Sequence, residues 1–361
     1  MAFFLTGFPG FLATYLVRAL NQRDRGSRFR LLVHSSQAEA AQQTVKRLVH
    51  EGMGPQERFE LIPGDITQEL LGLDSVTYYR MQLEVTHLFH LAAVYDLAVP
   101  AETAYQVNIT GTRKVNRFVR DLRNLKRYVY FSTAYVSGRR MGRILESELD
   151  QGQNFKNHYE STKFEAERLV QALMSSVPTT IIRPAVTVGH STTGETAKFD
   201  GMYFIMRFLD RFRRLPIPNI GKGQSPFNIV PVDYVVKAAA HFAFIHSAVN
   251  RVYHLTDPSP HTAREVYTMI CERLLSKRPF FTIPSYFVSA ALSLAWFRRW
   301  IGVEKETLEY FHSPAYYDTA HAQKDLRGTG IRCPDLKDYI GNCVEYYQKH
   351  RNDPGKRVKV R

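Results

Sequence analysis

The chain has 361 residues, 44% of them hydrophobic and 23% charged, with a mean hydropathy of −0.28. Length and composition together provide for a large buried core, which excludes wholesale disorder and a small disulfide-stapled scaffold. Net charge is +14 with pI near 9.6. That balance suits either a solvated basic surface or attraction for phosphorylated cofactors, coenzyme A, acidic carrier proteins or anionic membrane. The basic residues are dispersed and no nucleic-acid-binding module is seen, so nucleic acid is not expected as a partner. The three cysteines, Cys271, Cys333 and Cys343, have neither a paired framework nor metal-ligand spacing, which implies a reducing compartment and no metal site.

In chain order, strand and helix patterns alternate. Residues 2–5 are a short apolar run that enters a Thr6-Gly7 turn with no secretory leader pattern before it, so a cytoplasmic location is expected. An amphipathic stretch runs to about residue 21. A second strand follows at 28–34, a helix at 38–52 and a third strand at 59–63, which ends in Gly64-Asp65-Ile66-Thr67. Further strands are expected at 87–93, 127–132 and 179–183, with helices at 103–121 and 159–175 between them. Short apolar strands alternating with longer helical patterns argue for right-handed βαβ units and a parallel sheet. The rhythm loosens at 190–226, which is rich in Gly, Thr, Pro and Arg. A strand at 227–230 and a helix at 232–245 return the chain to the first domain. The expected division is therefore a Rossmann-type domain of residues 1–190 plus 227–257, and a smaller, mostly helical substrate domain of residues 191–226 plus 258–361. The basic end, 352–361, reads as a frayed tail.

Thr6-Gly7-Phe8-Pro9-Gly10-Phe11-Leu12-Ala13 follows a strand and opens a helix, the context in which a glycine pattern points to a dinucleotide. Gly7 permits the tight turn, Gly10 lets the backbone approach a pyrophosphate, and Ala13 lets the helix pack on the strand. Thr6, Pro9, Phe11 and Leu12 complete the candidate cofactor turn, whose helix amides face the phosphates. Asp65 and Ile66, at the end of the third strand, suit an adenine contact. The second strand ends in Val33-His34-Ser35-Ser36 with no acid to hold a ribose 2′-hydroxyl, which favours NADP(H) over NAD and makes His34 and Ser35 candidate 2′-phosphate contacts.

Of the twenty tyrosines, only Tyr159 has a lysine four residues on, Lys163. In a helix the two share a face, and the ammonium could lower the phenol pKa toward working pH. Such a pair moves a proton while a nicotinamide moves a hydride. Thr133, at the end of the fifth strand, places a hydroxyl where it can hydrogen-bond a substrate carbonyl.

These pieces occur in the order TGFPGFLA (6–13), GDIT (64–67), HLAAVYD (90–96), VNITGT (107–112), STAYVSG (132–138), YESTK (159–163), IIRPAVTVG (181–189) and NIVPVDYV (228–235). The chain resembles the extended short-chain dehydrogenase/reductase family, and its STAYV and YxxTK wording looks most like the fatty acyl-CoA and thioester reductase, or male sterility, branch. The resemblance implies that Tyr159 is the general acid in reduction, that Lys163 lowers its pKa and holds the nicotinamide ribose, and that Thr133 orients and polarises the carbonyl. It adds Leu91, Ala92 and Ala93 to the cofactor site, gives Asn108 an architectural role, and lines the nicotinamide pocket with Pro184 and Val186. Where the branch often carries Arg after the second strand, this chain has His34.

The implied substrate is lipophilic: an acyl thioester, aldehyde or ketone, presented free or on coenzyme A or a carrier protein. Two aromatic stretches with arginines, 199–214 and 280–300, suit an acyl channel, a peripheral membrane contact or an ordinary core-packing helix. The longest apolar run, 283–297, is broken by Pro284 and serines and is too short to span a bilayer. A homodimer through the helices beginning near Thr103 and Tyr159 is a further expectation from the family. A hydroxysteroid or sterol dehydrogenase, a nucleotide-sugar epimerase or dehydratase, and a non-catalytic NADP-binding sensor are the alternative readings. The absence of a carboxylate in Ser132-Thr133-Ala134 weighs against a dehydratase, and the Tyr159–Lys163 pair weighs against a sensor.

Overall fold

The computed structural model describes residues 1–95, 99–301, 314–356 and 358. Seven parallel strands form one sheet in the order β11-β7-β5-β4-β1-β2-β3. They are β1 (Ala2–Thr6), β2 (Arg28–Val33), β3 (Phe59–Pro63), β4 (His87–His90), β5 (Arg127–Phe131), β7 (Thr179–Pro184) and β11 (Arg251–Leu255). Alternate side chains of the apolar runs feed opposite faces. Phe3 and Leu5 pack with α1 (Phe11–Arg23), α2 (Ala38–His50) and α8 (Val232–Phe242) on one face. Phe4 packs with α3 (Ser75–Glu84), α5 (Gly111–Asp121) and α6 (His158–Gln171) on the other. This is an α/β Rossmann-like fold, and the strand order reverses between β1 and β4. At that point the carboxyl ends of the strands open a crevice in which doubly wound sheets bind their ligands.

Several boundaries differ from the sequence expectation for identifiable reasons. The fourth strand stops at His90 because the amides of Leu91 and Ala92 donate to the Thr6 hydroxyl, at 3.2 and 3.1 Å, and turn the chain out of the sheet. The helix expected at 103–121 is built from α4 (Ala101–Ala104), a π-helical segment Tyr105–Thr110 and α5. The strand expected at 227–230 lies in none of the seven places. Instead β10 (Ile229–Pro231) pairs with β8 (Val186–Val188) outside the main sheet, and β11 takes the edge position beside β7.

A second apolar cluster gathers Phe199, Met206, Val266, Ile270, Ile340 and Val344, among others. It joins α7 (Tyr203–Arg211), α9 (Ala263–Leu275) and the helix Leu336–His350. The stretch around 199–212 is thus largely core, with Tyr203, Phe204, Met206 and Leu209 buried. α9 begins at a capping box in which Thr262 and Glu265 satisfy each other's backbone amides. Beyond α9, β12 (Phe281–Ile283) pairs with β9 (Pro218–Ile220) and leads into α10 (Ser285–Ser293) and α11 (Ala295–Ile301). Of the expected tail, the part up to Lys356 is tied down: the Lys356 ammonium donates to the Thr196 carbonyl, and its own carbonyl accepts from the Phe199 amide, while 357 and 359–361 lie outside the described residues.

Candidate active site

The turn after β1 needs its glycines. Gly7 has φ +86°, and a Cβ there would lie 2.8 Å from the Ala92 nitrogen; a Cβ on Gly10 would lie 2.6 Å from the Gly7 carbonyl oxygen. The Gly10 amide donates to that carbonyl at 2.8 Å, the Phe8–Pro9 peptide is cis, and α1 starts at Phe11. Gly10 supplies no capping side chain and the first turn of α1 holds no acid, so its positive end suits a phosphate anion. This donor set fits the pyrophosphate of a dinucleotide. Pro9, Phe11 and Leu12 are half-buried around the turn. Thr6 is fully buried and locks β1 to β4 through its bonds to Leu91, Ala92 and the His90 ring. Leu91, Ala92 and Ala93 are half-buried where β4 runs out beside it.

At the end of β2 the exposed His34 ring holds Ser36 through Nδ1, 2.8 Å from its hydroxyl, while Nε2 lies 3.9 Å from the Asp65 carboxylate. Asp65 in turn accepts from the Thr67 amide and hydroxyl, both at 2.8 Å. Ser35 is exposed next to His34, and Ile66 is buried against Gly111 of α5. His34, Ser35 and Asp65 therefore share the end of β2 and β3, and a carboxylate does stand there, supplied by β3.

The candidate reaction centre lies where β5 meets α6. α6 starts at Asn157, whose side chain accepts from the Glu160 amide, and this sets Tyr159 in the first turn with Lys163 one turn on. The Tyr159 hydroxyl is hydrogen-bonded to the Thr133 hydroxyl. Burial pushes Tyr159 up to about 12; the Thr133 contact pulls it down and the nearby Glu160 carboxylate adds to the rise. Lys163 is turned elsewhere: its ammonium donates to the Tyr130 hydroxyl at 2.9 Å and to the Phe131 carbonyl at 2.7 Å. Burial brings it down to about 7, against the charge of Glu167. The expected lowering of the Tyr159 phenol by Lys163 is thus corrected, because the lysine is spent on the end of β5.

Asn108, 1% exposed, sits on the π-helical segment and bonds Val94 through both its amide and carbonyl groups, and the Thr162 hydroxyl at 3.0 Å. It staples the exit of β4 to α6, and a π-bulge commonly marks such a functional position. Pro184 ends β7, buried, and Val186 is half-buried at the start of β8, against Gly201.

Sequence reasoning passed over a buried polar chain under this site. The His90 ring contacts Thr6 at 2.7 Å and Thr112 at 3.1 Å; Thr112 also reaches the Tyr130 hydroxyl, which holds Lys163. The glycine turn and the reaction centre are thereby joined through side chains. Below them Arg183 and Glu167, 1% and 0% exposed, pair at 2.6 Å, with the Ser132 hydroxyl donating to the same carboxylate. The i, i+4 spacing of Lys163 and Glu167 was the available signal for this cluster. Among the described residues, no group of three or more His, Cys, Asp or Glu side chains could hold a metal ion.

A family model described as Male sterility protein matches residues 5–239, and the chain belongs to that family of NAD(P)-binding, extended short-chain dehydrogenase/reductase domains. Its fold overlays the terminal R domain from the myxalamid PKS-NRPS biosynthetic pathway with a TM-score of 0.83 at 25% identity, covering 97% of this chain and 91% of that one. It also overlays the thiolation-reductase di-domain of an archaeal non-ribosomal peptide synthetase (TM-score 0.73, 17% identity, 97% and 75% covered), which speaks to the fold alone. Among curated proteins it is 25% identical to Aldehyde reductase lnbA of Aspergillus flavus (71% of this chain, 26% of that protein). It is 23% identical to Fatty acyl-CoA reductase 1 of Arabidopsis thaliana (76% and 70%). The chain spans half or less of the length of most such relatives.

Proposed function

We propose that this chain is an NADP(H)-dependent reductase acting on the carbonyl of a lipophilic acyl thioester, aldehyde or ketone. The observation that carries the reading is the Thr133–Tyr159 hydroxyl pair at the carboxyl end of β5, in the same strand-end crevice as the glycine turn. The nicotinamide, when bound, supplies hydride to the carbonyl carbon. Thr133 orients and polarises the carbonyl oxygen, and Tyr159, protonated at any physiological pH, donates its proton as that oxygen gains charge. Lys163, one helical turn from Tyr159, steadies the end of β5 beneath the pair through Tyr130 and Phe131 and is the proposed contact to the nicotinamide ribose. With a thioester, collapse of the hemithioacetal releases aldehyde and thiol. Asn108 keeps α6 in register with β4 while this happens.

His34, Ser35 and the +14 net charge support NADP(H), and Asp65 beside His34 favours NAD to the extent that it reaches the 2′-position. Relatives named as fatty acyl-CoA and aldehyde reductases support the substrate class, and the thiolation-reductase di-domain supports delivery on a carrier arm.

The test is nicotinamide oxidation by the purified chain with a long-chain acyl-CoA and the matching aldehyde offered separately, each with NADPH and with NADH. Turnover of acyl-CoA with NADPH is expected, and Tyr159→Phe should lower it about 100- to 10,000-fold with nucleotide affinity kept. Silence with both substrates despite tight NADPH binding would send the search to sterols and sugars.

A further inference from the structure

α10 and α11 present an aromatic, basic face. On α10, Val288 and Leu292 point inward and pack with Phe204 of α7, while Tyr286 and Phe287 project from the opposite side, 63% and 55% exposed. Trp296 and Trp300, one turn apart on α11, are 67% and 47% exposed, and Phe280 ahead of β12 is 78% exposed. Isolated exposed aromatics are ordinary, whereas this many on two consecutive short helices form a patch that calls for a partner.

The charge carried by the patch itself is basic, and the acids at its edge, Glu272 and Asp210, are paired with Arg278 and Arg213. From Arg273 to Ile301 the chain has five basic residues and no acid. The Arg211 guanidinium lies 4.5 Å over the Trp300 ring and donates to the Trp300 carbonyl, and Lys277 donates to the carbonyl of Arg213. An open cleft of about 440 Å³ adjoins the start of α10 at Pro284 and carries Lys222, Arg264 and Thr282; it shares no residue with the reaction centre. Neither helix is long enough to cross a bilayer, so exposed Trp, Tyr and Phe ringed by Arg and Lys match a surface that lies in the plane of a lipid interface.

We propose that α10 and α11 seat the protein on an anionic lipid bilayer, with the aromatic rings at headgroup depth and the cations on lipid phosphates. This does not depend on the reaction proposed above. The chain offers its own reporter, because Trp296 and Trp300 are its only tryptophans.

The full chain is mixed with phosphatidylcholine vesicles and with vesicles doped with phosphatidylglycerol, and tryptophan emission and co-sedimentation are followed. Emission is expected to shift to the blue, with co-sedimentation, on the anionic vesicles only, and to be reversed by salt. Trp296→Ser combined with Phe287→Ser should weaken binding at least about tenfold, read by co-sedimentation and by the remaining Trp300. Arg299→Ala should weaken it about fivefold. Nucleotide affinity, measured on the same samples, should stay unchanged and certify that the variants are folded. The proposal is overturned if neither vesicle binds, if binding ignores the aromatic substitutions, or if emission is already blue in the free protein, which would mean the patch is sealed. It is equally overturned if an acidic carrier protein moves the emission and vesicles do not.

Discussion

At the level of single residues, the position of the Lys163 ammonium sets the behaviour of the site. It is held by one hydroxyl and one carbonyl, Tyr130 and Phe131, in surroundings that bring it down to about 7. Tyr130→Phe removes an acceptor from the charged form, so the ionisation of Lys163 moves lower still. The alkaline limb of the pH profile of kcat/KM should therefore shift to lower pH, with a loss of about 1–3 kcal/mol in stability from the unpaired buried groups. A loss of amplitude with an unmoved limb would assign Tyr130 to structure alone. The residues proposed to touch the reaction were picked out in the sequence because hydride chemistry asks for few groups at fixed spacings, and Tyr159, Lys163 and Thr133 stand at those spacings. Tyr130, Thr112 and His90 were not legible. Each lies inside an apolar or helical run, and only the packing of three strands and two helices brings them to one hydrogen-bonded chain.

Among elements, α6 depends on β7 through a buried charge pair. Glu167 holds Arg183 at 2.6 Å and accepts from Ser132, the residue before Thr133. Glu167→Ala leaves a guanidinium uncompensated in the interior and should cost about 3–5 kcal/mol, read as a fall in the denaturation midpoint. Replacing both partners together, Glu167→Met with Arg183→Leu, should restore most of that stability while the loss of the Ser132 anchor still lowers activity. A double variant no more stable than the single one would show that the pair itself, and not the orphaned charge, matters. Element existence was readable for the first six strands, whose apolar runs are flanked by turns. The ends were not readable where a tertiary bond decides: β4 stops at His90 because Thr6, 84 residues earlier, captures the next amides. β11 escaped notice because its sequence RVYHL mixes polar and apolar residues, and its polar members are satisfied only inside the fold, as when His254 meets Arg183 at 3.2 Å.

For the molecule as a whole, buried histidines set the response to acid. His87 is brought down to about 4 and His90 and His254 to about 3, each chiefly by burial and then by a neighbouring cation. Unfolding returns them to roughly 6.5, so below that pH the unfolded chain binds more protons than the native one. The stability they confer is full above pH ~6.5 and is lost as pH falls toward the folded values, on the order of 2 kcal/mol per histidine by pH ~5. Glu146 works the other way: buried, it is raised to about 7, so its contribution is lost as pH rises from roughly 4.5 through 7. The buried carboxyls Asp200, raised to about 6, and Asp257 act in the same sense as Glu146, but the three histidines outweigh them, and the urea midpoint should be lower at about pH 5 than at about pH 7.5. Equal midpoints would contradict the burial of these rings. The overall architecture was the most legible level of all, since alternating strands and helices leave few topologies open. The exposure of α10 and α11 was not, because an aromatic helix reads the same whether its face meets a core or a membrane.

The most direct test of the central claim is a single turnover: enzyme preloaded with NADPH is mixed with the long-chain acyl-CoA, and nicotinamide oxidation is timed for the native chain and for Tyr159→Phe. A rapid burst is expected in the native chain and at least about a 100-fold slower one in the variant, with NADPH bound equally well by both. An unchanged burst in Tyr159→Phe would remove Tyr159 from the chemistry and with it the proposed mechanism.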